Sequence, residues 1–361
     1  MLNDEELALV WFDYNDINFS KTEKILDKFD KIDAIFDKNI VKNAIFYNDE
    51  LNAIKEKLLK LDKEKFAEYI FDEFYKYNIS AITFASKKYP NKLKEIDNSP
   101  LVLYTRGDVD LLSKKSISIV GTRKPTTYGR IVTEKFTKEL SEAGLVTVSG
   151  LAYGIDTCVA NTTLDVHGKT IAVLAGGLDS IYPSQNAGLA DKIVNSGGLL
   201  ISENRPTIKP MQYSFINRNR IVSALGLGTL IIEAGKTSGT MATARHAIEQ
   251  GRELFVVPGN INSLQSEGTN NLIDEMPDTF TICPERILYR LKIKKKEKET
   301  APVQVGLADN QILEALSESE LSFDELCEKT GMKPAELSAA LIKMEMFGLV
   351  VKGNGNLYYK I

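Results

Sequence analysis

A doubly wound α/β domain with a largely parallel sheet is what this sequence predicts, with a small helical domain before it and a winged helix after it. Three observations carry that prediction. The stretch Ser116–Asp156 reads as strand, polar loop, helix and second strand. Ile117, Ile119 and Val120 form a short β-branched run, and Ile131, Val132, Phe136 and Leu140 recur at helical spacing. The same alternation continues as far as Val257, with Gly144, Gly197 and Gly251 where helix-ending glycines belong. Strands joined through a crossover helix lie parallel, and ligands of such sheets bind where loops leave the carboxyl ends of the strands. The polar loops Gly121–Gly129 and Ser149–Asp156 both fall on that edge.

Taken in order, residues 1–78 carry helical patterns at Glu5–Phe12, Phe19–Phe29, Ile32–Phe36, Val41–Tyr47 and Glu50–Tyr77, with little glycine. Residues 79–104 read as a connector with turns at Tyr89-Pro90 and Ser99-Pro100, closing on an edge strand at Leu101–Tyr104. The β-branched run ends at Gly121, the next helix spans Arg130–Ala143, and Leu145–Val148 is the second strand. Helices follow at Asp156–Leu164, Asn186–Ser196, Arg218–Leu225 and Thr240–Gln250. They alternate with strands at Thr170–Leu174, Leu199–Ser202, Thr229–Ile232 and Leu254–Val257. Leu291–Thr300 has no apolar face and reads as a linker, extending to residue 304. Helices at Asp309–Ser317, Ser322–Lys329 and Pro334–Phe347 then precede strands at Leu349–Lys352 and Asn356–Lys360 around Gly353-Asn354-Gly355, a hairpin signal. The expected domains are therefore 1–78, 79–290 and 305–361.

Composition narrows the function classes. At 361 residues, 43% apolar and 26% charged, the chain is expected to be soluble and cytoplasmic, with no signal peptide and no membrane span. Cys158, Cys283 and Cys327 are unpaired in spacing, and His167 and His246 are the two histidines, so neither a disulfide framework nor a metal cage is expected. The net charge of −4 is not that of a protein that coats DNA in bulk. All ten arginines nevertheless lie between Arg106 and Arg290, while both flanks use only lysine. Arginine is hard to replace where a planar five-donor fork is needed, which points to the central domain.

The loops hold groups suited to anions. Gly121 is followed by no glycine until Gly129, so the G-x-G-x-x-G dinucleotide fingerprint is missing, and no nucleotide cofactor is expected. Gly121, Thr122 and the Arg123 fork instead stand at a helix start, a place that favours negative charge. A surface ion pair is the plainer reading of Arg123. Gly150 lies in a turn that makes either a bend or room for a ligand, and Asp156 has the place of an N-cap. Lys169 precedes the next strand, while Asp179 and Tyr182-Pro183 shape a loop. Phe215, Asn217, Arg218, Asn219 and Arg220 place fork and amide donors beside an aromatic face, the pair of features that single strands need. Phe215 could equally fill a core, and one of the arginines could hold Glu203 or Glu233. Ser238, Gly239 and Thr240 follow a strand and can donate to one phosphate, although the Walker order is absent. Glu203 and Glu233 are the only acid–base candidates and no nucleophile joins them, so the site is expected to hold anions and not to react.

These motifs carry a resemblance. G-T-R at 121–123, S-G-x-A-x-G-I-D at 149–156, S-E at 202–203, F-x-x-R-N-R at 215–220, E-A at 233–234, S-G-T at 238–240, T-A-R at 243–245 and G-R-x-x-F-V-V-P-G at 251–259 occur in order. Together they resemble the DprA/Smf DNA-processing family across about residues 80–290. The resemblance implies an extended Rossmann-like domain that binds single-stranded DNA, forms a homodimer and helps load a RecA-type recombinase during natural transformation. By the same resemblance Arg123, Lys169, Phe215, Arg218 and Arg220 would touch DNA. Two positions depart from the family pattern: Ala160-Asn161 stands where Ala-His is usual, and Phe215-Ile216 where Phe-Pro is usual. The alternative is a nucleotide-hydrolysing phosphoribohydrolase of the lysine-decarboxylase-like group, whose P-G-G-x-G-T-x-x-E sequence is absent here.

Overall fold

The structure is a computed structural model, and it describes residues 2–294, 307–317, 320–346, 349–352 and 357–360. It divides into two compact units, Met1–Lys296 and Glu297–Ile361. The first begins with helices α1 (Asp4–Tyr14), α2 (Phe19–Leu26), α3 (Lys38–Asn43), α4 (Asp49–Lys60) and α5 (Lys63–Tyr77). The pattern expected as one helix over Glu50–Tyr77 is two. Asp62 interrupts it, its side chain accepting from the Lys65 amide as an N-cap does (3.2 Å). These helices share one apolar core with the sheet, in which Trp11 and Phe12 lie in the same cluster as Tyr104, Leu174 and Leu200. The boundary near residue 78 is thus a change of secondary structure within one packed unit.

There follow β1 (Ser80–Thr83), α6 (Asn91–Lys94), β2 (Val102–Gly107), β3 (Ser116–Val120), α7 (Thr127–Glu142), β4 (Val146–Ser149), α8 (Ile155–Asp165), β5 (Thr170–Leu174), α9 (Ala187–Asn195) and β6 (Leu199–Ser202). The unit closes with α10 (Gln212–Leu225), β7 (Gly228–Ile231), α11 (Gly239–Glu249), β8 (Glu253–Val256), α12 (Glu267–Glu275) and α13 (Pro284–Arg290). The eight strands form one sheet in the order β1-β2-β6-β5-β4-β3-β7-β8. From β6 to β8 all neighbours are parallel, as the alternation predicts. The strand expected at Leu101–Tyr104 is β2, which pairs antiparallel with β6, but it is not the edge: the connector supplies one further strand, β1, which pairs antiparallel with β2 and lies outside it. Ser80-Ala81-Ile82-Thr83 is too short and too polar to announce a strand, and its pairing with β2 supplies what its composition does not.

The chain runs outward from β3 through β4, β5 and β6, then returns to place β7 on the other side of β3. The crevice between the carboxyl ends of β3 and β7 is therefore the topological switch point, where sheets of this kind bind ligands. Helix α10 is tied beneath it by two buried hydroxyls of β3. Ser116 Oγ donates to the Leu225 carbonyl (2.7 Å) and Ser118 Oγ to that of Val222 (2.6 Å). Polar residues are tolerated in this fully buried strand because each finds a helix carbonyl.

The second unit contains α14 (Leu307–Ala315), β9 (Leu321–Ser322), α15 (Phe323–Thr330), α16 (Pro334–Met346), β10 (Val350–Lys352) and β11 (Leu357–Lys360). Its three-stranded antiparallel sheet has the order β10-β11-β9, and Ile312, Leu326, Leu337, Leu341, Val350 and Tyr358 form its core. This is the winged-helix arrangement expected. Most of the expected linker and the Gly353-Asn354-Gly355 turn lie outside the described residues.

Candidate nucleic-acid interface

The switch-point crevice is closed by one of the chain's own carboxylates. Glu233, 1% exposed just beyond β7, accepts from the Thr126 amide (2.9 Å) and from its hydroxyl (2.6 Å). Thr126 is the N-cap of α7, so Glu233 takes the position at a helix amino end that a nucleotide phosphate would otherwise fill. A Cβ on Gly129 would overlap the Glu233 carboxylate, which explains the glycine there. Thr122 is spent in the same place. Its amide donates to the Glu233 carbonyl (2.7 Å), its hydroxyl to Gln265 (2.9 Å), and it is 8% exposed. The expectation that Thr122 offers donors to a phosphate is therefore corrected: neighbouring loops have already taken them. Gly121 is a packing glycine, pressed between Ile155 and the Glu233 backbone.

Arg218 departs furthest from the sequence expectation. It is 4% exposed, and its guanidinium donates to the carbonyls of Gly150 (2.7 Å) and Val173. The Gly150 peptide turns its other end to Asp156, whose carboxylate accepts from the amides of Gly150 (3.0 Å) and Ala152 (3.3 Å). One peptide thus links a buried cation to a buried anion. Burial pushes the Asp156 carboxyl above its ordinary range, with the Arg218 charge and the two amides pulling it back. Burial also pushes Arg218 down to about 10, so it stays charged at neutral pH. Gly150 has no side chain because a Cβ there would overlap the guanidinium. Neither Gly150 nor Arg218 faces solvent, and both are corrected from ligand contacts to internal struts.

Arg220 is likewise engaged, in an ion pair with Glu203 that is about four-fifths buried on both sides. Asn219 accepts from Arg218 Nε (3.2 Å) and donates to the Gly239 carbonyl (3.3 Å), joining α10 to the loop after β7. In that loop Ser238 caps α11 by accepting from the Thr240 amide, Thr240 is buried, and Gly239 is exposed with open space around it. Asn217 is exposed on α10. Lys169 precedes β5 and so stands at the amino edge of the sheet, opposite the crevice, where it donates to the Ser196 carbonyl. The structure does not bring it to the other expected contacts.

Two of the expected residues do meet, and a third joins them unforeseen. The exposed Arg123 guanidinium lies over the half-buried Phe215 ring, 5.1 Å from its centroid. Tyr182, 52% exposed, tilts its ring against Phe215 at 5.5 Å between centroids. Phe215 belongs to none of the apolar core clusters, so the core-filler alternative falls. Sequence treats Tyr182 as a loop shaper. The only available signal for it was an aromatic beside a proline after the Gly176-Gly177 turn, on the same edge. Arg123 is in no ion pair among the described residues, and neither are Lys124, Lys209 and Lys236, which stand exposed on loops after β3, β6 and β7. Among the carboxylates of the loops after β4, β5, β6 and β7, Glu233 and Asp156 are buried, Glu203 is paired and Asp179 accepts from the Thr207 amide. Exposed cations beside these engaged carboxylates and two partly exposed rings make a small surface suited to phosphate and a flat base.

Residues 80–292 match the family described as DNA recombination-mediator protein A, and residues 296–356 match the DprA winged helix domain. The chain is 40% identical over 244 residues to DNA processing protein DprA of Bacillus subtilis, covering 64% of this chain and 82% of that one. It is 34% identical over 274 residues to protein Smf of Escherichia coli, covering 73% of each. Its fold is similar to that of DNA processing protein A from Streptococcus pneumoniae (TM-score 0.62, 30% identity, 80% of this chain and 93% of that one). It is also similar to the Helicobacter pylori protein, whose structure is described for its single-stranded DNA binding mode (TM-score 0.54, 32% identity, 59% and 95%). A family match across most of the sheet, a second across the winged helix, and relatives covered over most of their length lead to one conclusion: this chain belongs to the DNA recombination-mediator protein A family of DNA-processing proteins.

Proposed function

We propose that this protein binds single-stranded DNA without catalysis, at the carboxyl edge of its sheet, and passes the strand to a RecA-type recombinase as a homodimer. The observation that carries the reading is the Arg123–Phe215–Tyr182 cluster. It sets a guanidinium that is in no ion pair among the described residues and two partly exposed rings together, on an edge where Glu203, Glu233, Asp156 and Asp179 are engaged elsewhere. Aromatic faces stack on bases of any identity and cations follow the backbone, so the expected binding has little sequence preference. The groups that would be needed for a nucleotide hydrolase are not free. Glu233 is buried against the α7 amino end, and Glu203 is held by Arg220.

Titration of a fluorescent oligothymidylate tests it. With Arg123, Lys124, Lys209 and Lys236 as phosphate partners, log K should fall against log salt with slope about −3. Arg123→Ala should make that slope shallower by roughly 0.7. Phe215→Ala should cost about 1–3 kcal/mol of binding, leave the slope unchanged and leave melting nearly unchanged. Affinity indifferent to salt, or a Phe215→Ala protein that binds normally, would count against the reading. The hand-over is read from recombinase assembly on strand already coated with single-strand binding protein. If this protein gives no acceleration, it is not a mediator, and light scattering at monomer mass would remove the dimer.

A further inference from the structure

A groove of about 1240 Å³ opens beside Arg123 and runs between α7 and α8. Helix α7 leaves the carboxyl end of β3 and delivers the chain to the start of β4, and α8 does the same from β4 to β5. The groove therefore leads away from the crevice toward the opposite edge of the sheet, along a helix of 16 residues, about 24 Å. Its wall on α7 carries Arg130, Lys135 and Lys138, all exposed, and none is in an ion pair among the described residues. With Arg123 and Lys124 at the mouth, five cations line it against two carboxylates, Glu134 and Asp165. Exposed Tyr153 at the mouth and Ile131, 60% exposed, add apolar surface between the charges.

We propose that this groove is a second track for single-stranded DNA, carrying the strand onward from the Arg123–Phe215–Tyr182 cluster along α7. It rests on the proposed function, because Arg123 is the shared entry. The chemistry fits a flexible phosphodiester chain. The cations lie in a trough between two packed helices, and a single strand can follow such a trough. Arg130, Lys135 and Lys138 would each neutralise one phosphate, which adds about 2 to the magnitude of the salt slope for a strand long enough to reach them.

The test compares oligothymidylates of four and twenty nucleotides on the full chain and on Arg130→Ala/Lys135→Ala/Lys138→Ala, a variant confined to exposed positions. The four-mer reads the Arg123–Phe215–Tyr182 cluster, and the twenty-mer reads cluster and groove. The expected result is unchanged four-mer binding, with twenty-mer affinity about tenfold or more weaker and its slope shallower by about 2. Twenty-mer binding equal to the parent's would overturn the groove. So would an equal loss for both lengths, which would make the three cations a general field and not a track. A parent protein that binds neither oligonucleotide would instead bring down the proposed function itself.

Discussion

Replacing Arg218 by alanine should weaken the fold and leave the electrostatics of DNA binding alone, the opposite of what its place in F-x-x-R-N-R suggests. The guanidinium is 4% exposed and supplies donors to the Gly150 and Val173 carbonyls. An unsatisfied buried acceptor costs about 1–3 kcal/mol, and removing one partner of a buried charge pair costs about 3–5 kcal/mol. The two carbonyls and Asp156 form one network, so these figures overlap, and a loss of about 4 kcal/mol is expected. For a unit of this size that lowers the melting temperature by roughly 8 °C. The pH dependence has a definite sign. Burial already raises the Asp156 carboxyl, and losing Arg218 raises it further. A raised acid favours the folded state below its unfolded value of about 3.9, and that favour is lost as pH rises through the folded value. The gap between variant and parent should therefore widen as pH increases and narrow in acid. Melting curves at several pH values, with a salt titration of binding at low temperature, decide the matter. An Arg218→Ala protein with parental melting and a salt slope shallower by about 0.7 would refute the argument, because Arg218 would then be meeting phosphate.

Further expectations concern other parts of the molecule. Asp13, which accepts from the buried Tyr104 hydroxyl (2.6 Å), is pushed up to about 6 by burial. Its contribution is present below about pH 4 and lost as pH rises through 6, so the stability of the parent relative to Asp13→Asn should fall between pH 4.5 and 7.5, and a flat difference would contradict this. Gly129→Ala should cost about 1–3 kcal/mol by forcing Glu233 out of its seat, and adding Glu233→Ala should recover part of that loss; strict additivity would show that the two do not meet. A chain ending at residue 294 should keep most of its single-strand affinity. Residues 291–361 hold ten basic and eleven acidic side chains and no arginine, and a loss of about a hundredfold would move the site into the winged helix.

The sequence by itself determined the parallel sheet, the winged helix and which loops share the carboxyl edge of the sheet. β-Branched runs, helical spacing and helix-ending glycines act over a few residues, so their record is local and readable. It also determined that Arg123 and Phe215 could share a surface, since both leave the carboxyl side of the sheet. It did not determine which donors remain available. Arg218 is removed from solvent by residues 68 and 45 positions away, Thr122 and Thr126 are taken up by a region more than 100 residues later, and Arg220 is claimed by Glu203. Tyr182 becomes part of the cluster only because its loop meets α10. Periodicity states that a residue sits on a helix near an edge. Whether its charge is desolvated and paired or left free for a ligand is settled by contacts between distant segments, and those exist only once the chain has folded.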